Sequence, residues 1–172
     1  MVMYLLVDTQ IWLIFCLNNS YMVNYYILTP LKNPNSLAVT IYNNFRYLTD
    51  PTLNHTIEEI KRLLTSSNFV GIALSDNGNV VGYLVGEYKK LNDGRFVYYI
   101  TYIYVSKKYR GKKLSTLMLN KIHQIVKQKN IQYIILTCAN NLVDYYEKHG
   151  YKTDLLIPSY MNNNVNVMCL NV

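Results

Sequence analysis

Residues 69–105 constrain the fold more than any other stretch of this chain. Three runs rich in β-branched and aromatic residues, Phe69–Leu74, Val80–Tyr88 and Phe96–Val105, are separated only by Asp76-Asn77-Gly78 and Asn92-Asp93-Gly94. Such runs suit the pleated, half-buried surface of a sheet. Turns of this Asn/Asp-Gly type reverse the chain within a few residues. The pattern predicts three consecutive antiparallel strands in a meander.

The hydrophobic period changes on both sides of the meander. Residues 24–29, NYYILT, read as a strand closed by Pro30. Residues 34–48 read as a helix with Leu37, Ile41, Phe45 and Leu48 on one face, ended by Asp50-Pro51. Thr56 and Glu59 have capping-box spacing and open a second helix carrying Ile57, Ile60, Leu63 and Leu64. After the meander, Leu114, Leu117, Met118, Ile122, Ile125 and Val126 form one apolar helical stripe, with Thr116, Asn120 and Lys127 facing out. Ile131–Cys138 reads as a strand, Asn141–His149 as a short helix stopped by Gly150, and Tyr151–Ile157 and Val165–Val172 as two last strands. This order predicts a mixed α/β domain: a central, mostly antiparallel twisted sheet of about seven strands with about four helices.

At 172 residues the chain suits one domain with one core, and 51% apolar against 16% charged residues argues against disorder. The segment MVMYLLVDTQIWLIFCL is apolar, but it has no basic leader, Asp8 and Gln10 interrupt it, and no small-residue cleavage site follows. It is also too short and too polar to be read as a membrane span. Residues 1–21 are therefore expected to form an extension, strand or helix, packed on a domain covering 22–172. Cys16, Cys138 and Cys169 have no metal-ligand spacing and are odd in number, so neither a metal site nor a disulfide framework is expected. A reducing, cytoplasmic location follows from that reading.

The formal charge of +7 favours anionic partners. The lysine pairs at 89–90, 107–108 and 112–113 are dispersed, which suits local phosphate contacts better than nucleic acid on one reading face. The sharpest such site is Tyr109–Thr116, YRGKKLST, a basic turn between a strand and a helix. A helix start offers unpaired amides and the positive end of the macrodipole, and so receives phosphate. Gly111 permits unusual torsions and close approach of backbone, while Arg110, Lys112 and Lys113 add charge.

The stretch from Gly78 to Tyr151 resembles the GNAT superfamily of acetyl-CoA-dependent N-acetyltransferases. The resemblance lies in Arg110-Gly111-Lys112-Lys113-Leu114-Ser115, in the signature YEKHGY from Tyr146 to Tyr151, and in the order of elements. LTCANNLVDYYEKHGYK, with Cys138 eight residues before Tyr146, is similar to the glucosamine-6-phosphate N-acetyltransferase branch. The chain departs from that branch at Thr101 and Tyr102, where an acidic pair is usual, and no arginine follows Arg110.

The resemblance implies a GNAT-like single domain using acetyl-CoA as co-substrate. It implies that the pantetheine arm lies beside a splayed fourth strand, held by the backbone of Ile103, Tyr104 and Val105, where an N–H polarises the thioester carbonyl. The turn Arg110, Gly111, Lys112, Lys113, Leu114, Ser115 and Thr116 would hold the pyrophosphate. Tyr146 would serve the leaving sulfur, the Thr137 carbonyl would orient the amine, and Thr101 and Tyr102 would meet the acceptor. Tyr145 and Tyr151 are expected to pack. Among neutral-pH bases, His55 stands before a helix cap where it can line a cleft, His123 is expected in solvent, and His149 is expected to complement a helix end. Glu87 is a further candidate base. Cys138 has no His/Asp partners at recognisable spacing and reads as a buried small residue.

Direct attack of a primary amine in a ternary complex is the expected mechanism. The implied acceptor is glucosamine 6-phosphate; the alternatives are a protein N-terminus, lysine, polyamine or other small amine, or a domain that binds acetyl-CoA or a partner without catalysis. By analogy with the branch, a homodimer is expected.

Overall fold

The computed structural model describes residues 12–17, 21–46, 55–154 and 165–172. In chain order the elements are β1 (Trp12–Leu17), β2 (Tyr21–Leu28), α1 (Asn35–Phe45), α2 (Ile57–Thr65), β3 (Phe69–Asp76), β4 (Asn79–Lys90), β5 (Phe96–Val105), α3 (Leu114–Gln128), β6 (Tyr133–Ala139), α4 (Val143–Glu147), β7 (Lys152–Thr153) and β8 (Val165–Asn171). They build one eight-stranded sheet in the order β1-β2-β3-β4-β5-β6-β8-β7. All neighbours are antiparallel except β5 and β6, which α3 connects as a parallel crossover. The meander β3-β4-β5 and the four helices stand where the sequence pattern puts them. The strand beyond the expected seven is β1, at the edge beside β2.

Local chemistry accounts for the element ends. At α2 the Thr56 hydroxyl accepts from the Glu59 amide (3.2 Å) and the Glu59 carboxylate from the Thr56 amide (2.8 Å), a complete capping box. The first helix ends at Phe45; Leu48 and Asp50-Pro51 lie outside the described residues. The expected strand 151–157 is only Lys152–Thr153 within the described residues, and its remainder from 155 lies outside them. Buried Asp154 is held by Arg95 (2.7 Å), which also pairs with Asp93 (2.6 Å) and so ties the β4–β5 turn to the end of β7.

The two faces of the sheet bury separate cores. On one face Tyr98, Ile100, Leu84, Leu114, Met118, Ile122 and Tyr146 pack together under α3 and α4. On the other, Leu37, Ile41, Ile60, Leu64, Tyr83, Val85 and Tyr102 pack under α1 and α2. In an unbroken strand Tyr98, Ile100 and Tyr102 would share a face. They do not, because β5 carries a bulge: Ile100 is opposite Gly86 and Tyr102 opposite Val85, so Thr101 is the extra residue. Gly86 makes that bulge possible. A Cβ there would lie 2.2 Å from the Tyr99 carbonyl and 2.9 Å from the Tyr98 ring.

Candidate active site

The bulge opens the sheet. β5 and β6 pair from Val97–Tyr133 to Ile100–Leu136, and there the pairing stops. Beyond that point β5 follows β4, from Tyr102 opposite Val85 to Val105 opposite Gly82. β6 instead follows β8, with Thr137 opposite Val167 and Ala139 opposite Val165. A wedge is left between 101–105 and 137–139, with strand backbone along both sides. Ile103 and Val105 turn their side chains to the α3–α4 face, Tyr102 and Tyr104 to the α1–α2 face.

One arm of the wedge runs into the basic turn. Arg110 Nε donates to the Val105 carbonyl at 3.0 Å, closing the turn onto the strand end. Tyr109 is buried, and its hydroxyl donates to Asp76. Gly111 (φ +75°) and Lys113 (φ +57°) are both left-handed, a geometry that gathers N–H groups into an anion-binding concavity. A Cβ on Gly111 would meet nothing within 4 Å, so glycine is needed there for its torsion and not for room. Lys113 precedes the 15-residue α3 with no side-chain cap, and no acidic residue occupies the first turn. The amides of Leu114, Ser115 and Thr116 are thus presented at the positive helix end. Leu114 can offer only its amide, since its side chain is buried.

The hydroxyls of Ser115 and Thr116 are engaged by α4. Tyr145 donates to Ser115 Oγ at 2.8 Å. His149 Nδ1 donates to the Tyr145 carbonyl at 2.8 Å. In the neutral ring Nε2 is then an acceptor, taking the Thr116 hydroxyl at 3.0 Å. These bonds correct three expectations: Thr116 does not simply face solvent, Tyr145 does more than pack, and His149 latches two helices together. His123 is corrected too. It is half-buried with Nε2 3.0 Å from the Tyr151 hydroxyl, and burial, aided by His149, pushes its pKa down to about 4.

Tyr146 lies on the same short helix, 4% exposed, with its ring edge-on to Tyr145 and Tyr151. Among the described residues its hydroxyl has no hydrogen-bond partner. Burial, with Cys138 beside it, holds its pKa well above the ordinary phenol value, so it keeps its proton at neutral pH. Burial also pushes the Cys138 thiol up to about 11, which leaves it a thiol and a poor nucleophile.

The other side of the wedge is made of side chains. Tyr102 is buried beneath Phe45 (ring centroids 4.9 Å), and its hydroxyl shares a hydrogen bond with His55 Nδ1. Tyr104 stacks on Tyr83 at 5.5 Å, and Asn44 donates to the Tyr83 hydroxyl at 3.1 Å. Thr137 is exposed, its Oγ1 3.4 Å from the Tyr99 hydroxyl. Glu87 stands opposite Tyr99 across the β4–β5 pair. The structure therefore brings the turn residues, the backbone edge of Ile103–Val105 and Tyr146 to the α3–α4 side of the wedge, and sets Tyr102, Thr137, His55 and Glu87 around the opposite face, with Thr101 at the bulge. Sequence reasoning missed Tyr99, Tyr145 and the bulge. Gly86 inside a strand pattern was the available signal for the bulge; among 18 tyrosines, nothing marks out Tyr99.

Among the described residues there is no group of three His, Cys, Asp or Glu side chains placed to hold a metal ion. No helix of the described residues is long and apolar enough to cross a membrane.

Comparison with known proteins agrees with this geometry. The acetyltransferase (GNAT) family model matches residues 38–151. The chain is 26% identical over 136 residues to a glucosamine 6-phosphate N-acetyltransferase of Candida albicans, covering 78% of this chain and 82% of that protein. Its fold is similar to the NatC complex bound to Gag peptide and CoA (TM-score 0.68, 15% identity, 87% of this chain and 98% of that one). It is also similar to Arabidopsis thaliana NAA60 in complex with acetyl-CoA (TM-score 0.66, 10% identity, 87% and 98%). With a split sheet leading to an uncapped basic helix start, and a family match over well more than half its length, this chain belongs to the acetyltransferase (GNAT) family, acyltransferases that use acetyl-CoA.

Proposed function

We propose that the protein transfers acetyl from acetyl-CoA to the amine of glucosamine 6-phosphate. The observation that carries the transfer chemistry is the wedge between β5 and β6 opening directly onto the uncapped turn at Gly111–Ser115. The acceptor is supported by the Candida albicans relative, which acts on that sugar phosphate by name.

The residues present fit acetyl-CoA. Two left-handed residues, three unpaired amides and the side chains of Arg110, Lys112 and Lys113 offer donors and charge for a diphosphate, with open space at Gly111. When bound, acetyl-CoA supplies a thioester whose carbonyl carbon the amine attacks directly. The free edge of β5 at Ile103, Tyr104 and Val105 offers backbone groups to align the arm, and an N–H there to polarise the carbonyl. The Thr137 carbonyl, with water, orients the amine at the opposite edge. Tyr146 retains its proton and donates it to the departing sulfur, while the proton lost by the attacking amine passes through water and restores the phenol, so that thiol and amide are the net products. Holding both substrates in one wedge lowers the entropic part of the barrier. The protonated state of Cys138 fits direct transfer better than an acyl-enzyme.

A second reading, a protein N-terminus, lysine, polyamine or other small amine as acceptor, is favoured by Tyr102. With Thr101 it stands where the branch usually carries an acidic pair, and it packs with Phe45, Tyr83 and Tyr104. Thiol release from acetyl-CoA with glucosamine 6-phosphate, glucosamine, peptides and polyamines separates the two. Release with the sugar phosphate is expected. Release only with peptides or polyamines replaces the first reading with the second, and bound acetyl-CoA without release to any amine defeats both.

A further inference from the structure

A primary amine arrives at neutral pH largely as an ammonium and attacks as a free amine, so one proton must leave before transfer begins. The proton that restores Tyr146 is shed later, after attack. The chemistry at Tyr146 therefore gives the first proton no route out of the wedge.

A line of polar groups leads from the amine position to solvent. Tyr99 and Tyr102 stand on either side of the bulge at Thr101 and share the α1–α2 face of the sheet. The Tyr99 hydroxyl lies 3.4 Å from Thr137 Oγ1, beside the carbonyl that is the proposed guide for the amine. Tyr102 is the first residue past the bulge, where β5 has already left β6. The two phenols are near enough for a charge on one to be felt at the other. The Tyr102 hydroxyl is hydrogen-bonded to His55 Nδ1, the two rings edge to face with centroids 5.5 Å apart. With the ring proton on Nε2, Nδ1 accepts from the phenol. Tyr102 is buried and His55 is exposed, so the pair joins the interior to solvent.

The surroundings suit a passing proton. Burial holds the Tyr102 phenol well above its ordinary pKa, so it hands a proton on without standing as an anion. Glu59 of α2 lies near both groups, and the Thr56 amide and hydroxyl hold its carboxyl below the usual range. A positive charge on His55 is thus met by a carboxylate. Arg62 on α2, Tyr83 on β4 and Tyr99 on β5 are the other titratable groups around them. From α1 the uncharged Phe45 packs on Tyr102. The other two histidines are engaged on the α3–α4 face, by Thr116 and by Tyr151.

We propose that Tyr102 and His55 form a proton relay that frees the acceptor amine before attack. The ammonium donates to a water, the water donates to the Tyr102 oxygen, and that phenol donates its own proton to His55 Nδ1. Exposed His55 then releases one proton to solvent, and every relay group returns to its starting form. The proposal rests on the acetyl-transfer reading above. Tyr102 acts on the substrate through one water, and His55 acts through Tyr102.

The experiment compares wild type, His55→Ala, Tyr102→Phe, their double variant and Glu87→Gln. Thiol release is followed with saturating acetyl-CoA and glucosamine 6-phosphate, across pH, with and without added imidazole. At neutral pH kcat should fall about 100-fold in His55→Ala and in Tyr102→Phe, the lower end of acid–base catalysis. Acetyl-CoA affinity should stay within about twofold. Imidazole should return about tenfold or more to His55→Ala and nothing to Tyr102→Phe. The double variant should lose no more than Tyr102→Phe alone, because the pair acts as a unit. The deficit should shrink as pH rises and the acceptor arrives already neutral. An unchanged kcat in His55→Ala overturns the proposal. A deficit that imidazole leaves in place, or that stays constant with pH, means a packing role and also overturns it. So does a loss confined to Glu87→Gln, which assigns the proton to that carboxylate. No thiol release by wild type with any amine removes the parent reading, and this proposal with it.

Discussion

The α3–α4 side of the wedge and the α1–α2 side offer a ligand different materials. On the first, the groups we propose for the cofactor are mostly main-chain: the free edge of β5, the left-handed Gly111 and Lys113, and the first amides of α3. Side chains there chiefly hold the frame, as Tyr145 holds Ser115 and His149 holds Thr116. On the second side the distinctive groups are side chains, most of them buried or half-buried: Tyr102 with His55, Tyr104 on Tyr83, and Lys89 on Tyr99. Backbone geometry tolerates sequence change so long as torsions are kept, whereas a side-chain wall changes with every substitution. That difference explains how a chain can keep the cofactor half of a family and depart from it at Thr101 and Tyr102.

The largest effect is expected where the two sides meet. Tyr146→Phe removes only a hydroxyl, so calorimetry should find acetyl-CoA affinity within about twofold. Turnover should fall about 100-fold or more, as for a lost general acid. An unchanged rate takes Tyr146 out of the chemistry.

Next comes the backbone side alone. Gly111→Val forces a β-branched residue to φ +75°, a strain of about 1–3 kcal/mol. The turn should leave that torsion and acetyl-CoA binding should weaken about tenfold or more, while thermal unfolding shifts little because nothing packs there. Gly111→Asn, which tolerates the left-handed region, should retain most of the affinity. Equal affinity for Val and Gly would show that the torsion is irrelevant to binding.

The smallest effect tests whether the frame is cooperative. Tyr145→Phe and His149→Ala should each weaken acetyl-CoA binding by about 1 kcal/mol, one hydrogen bond apiece. Because His149 also bonds the Tyr145 carbonyl, the double variant should lose less than the sum. Strict additivity in the binding cycle would mean that the two bonds act independently of each other.

Much of the fold was legible because its signals are local. The Asn/Asp-Gly turns fixed the meander, the Thr56–Glu59 spacing fixed a helix start, and the apolar stripe from Leu114 to Val126 fixed α3. The turn Arg110–Ser115 and Tyr146 were singled out through spacing and resemblance, and the structure shows their geometry. His123 was misjudged because helical periodicity gives a direction but not what stands there, and Tyr151 comes from beyond the next strand to meet it. Nothing local in the sequence shows what the Ser115 side chain meets; its hydroxyl is the point where α4 attaches.

The sequence by itself determined the order of elements, the basic turn at a helix start and the chemistry it suits, since turns, caps and periodicity act over a few residues. Resemblance implied a splayed fourth strand; only the tertiary structure decided what opens the wedge and which side chains face it. One extra residue at Thr101, accommodated by Gly86 on the neighbouring strand, reverses the alternation of β5. That reversal sends Tyr102 and Tyr104 beneath α1 and α2, leaves Ile103 and Val105 facing α3 and α4, and comes just where β5 and β6 part. Which face a strand residue occupies depends on pairing between segments distant in sequence, and a shift of one residue inverts it.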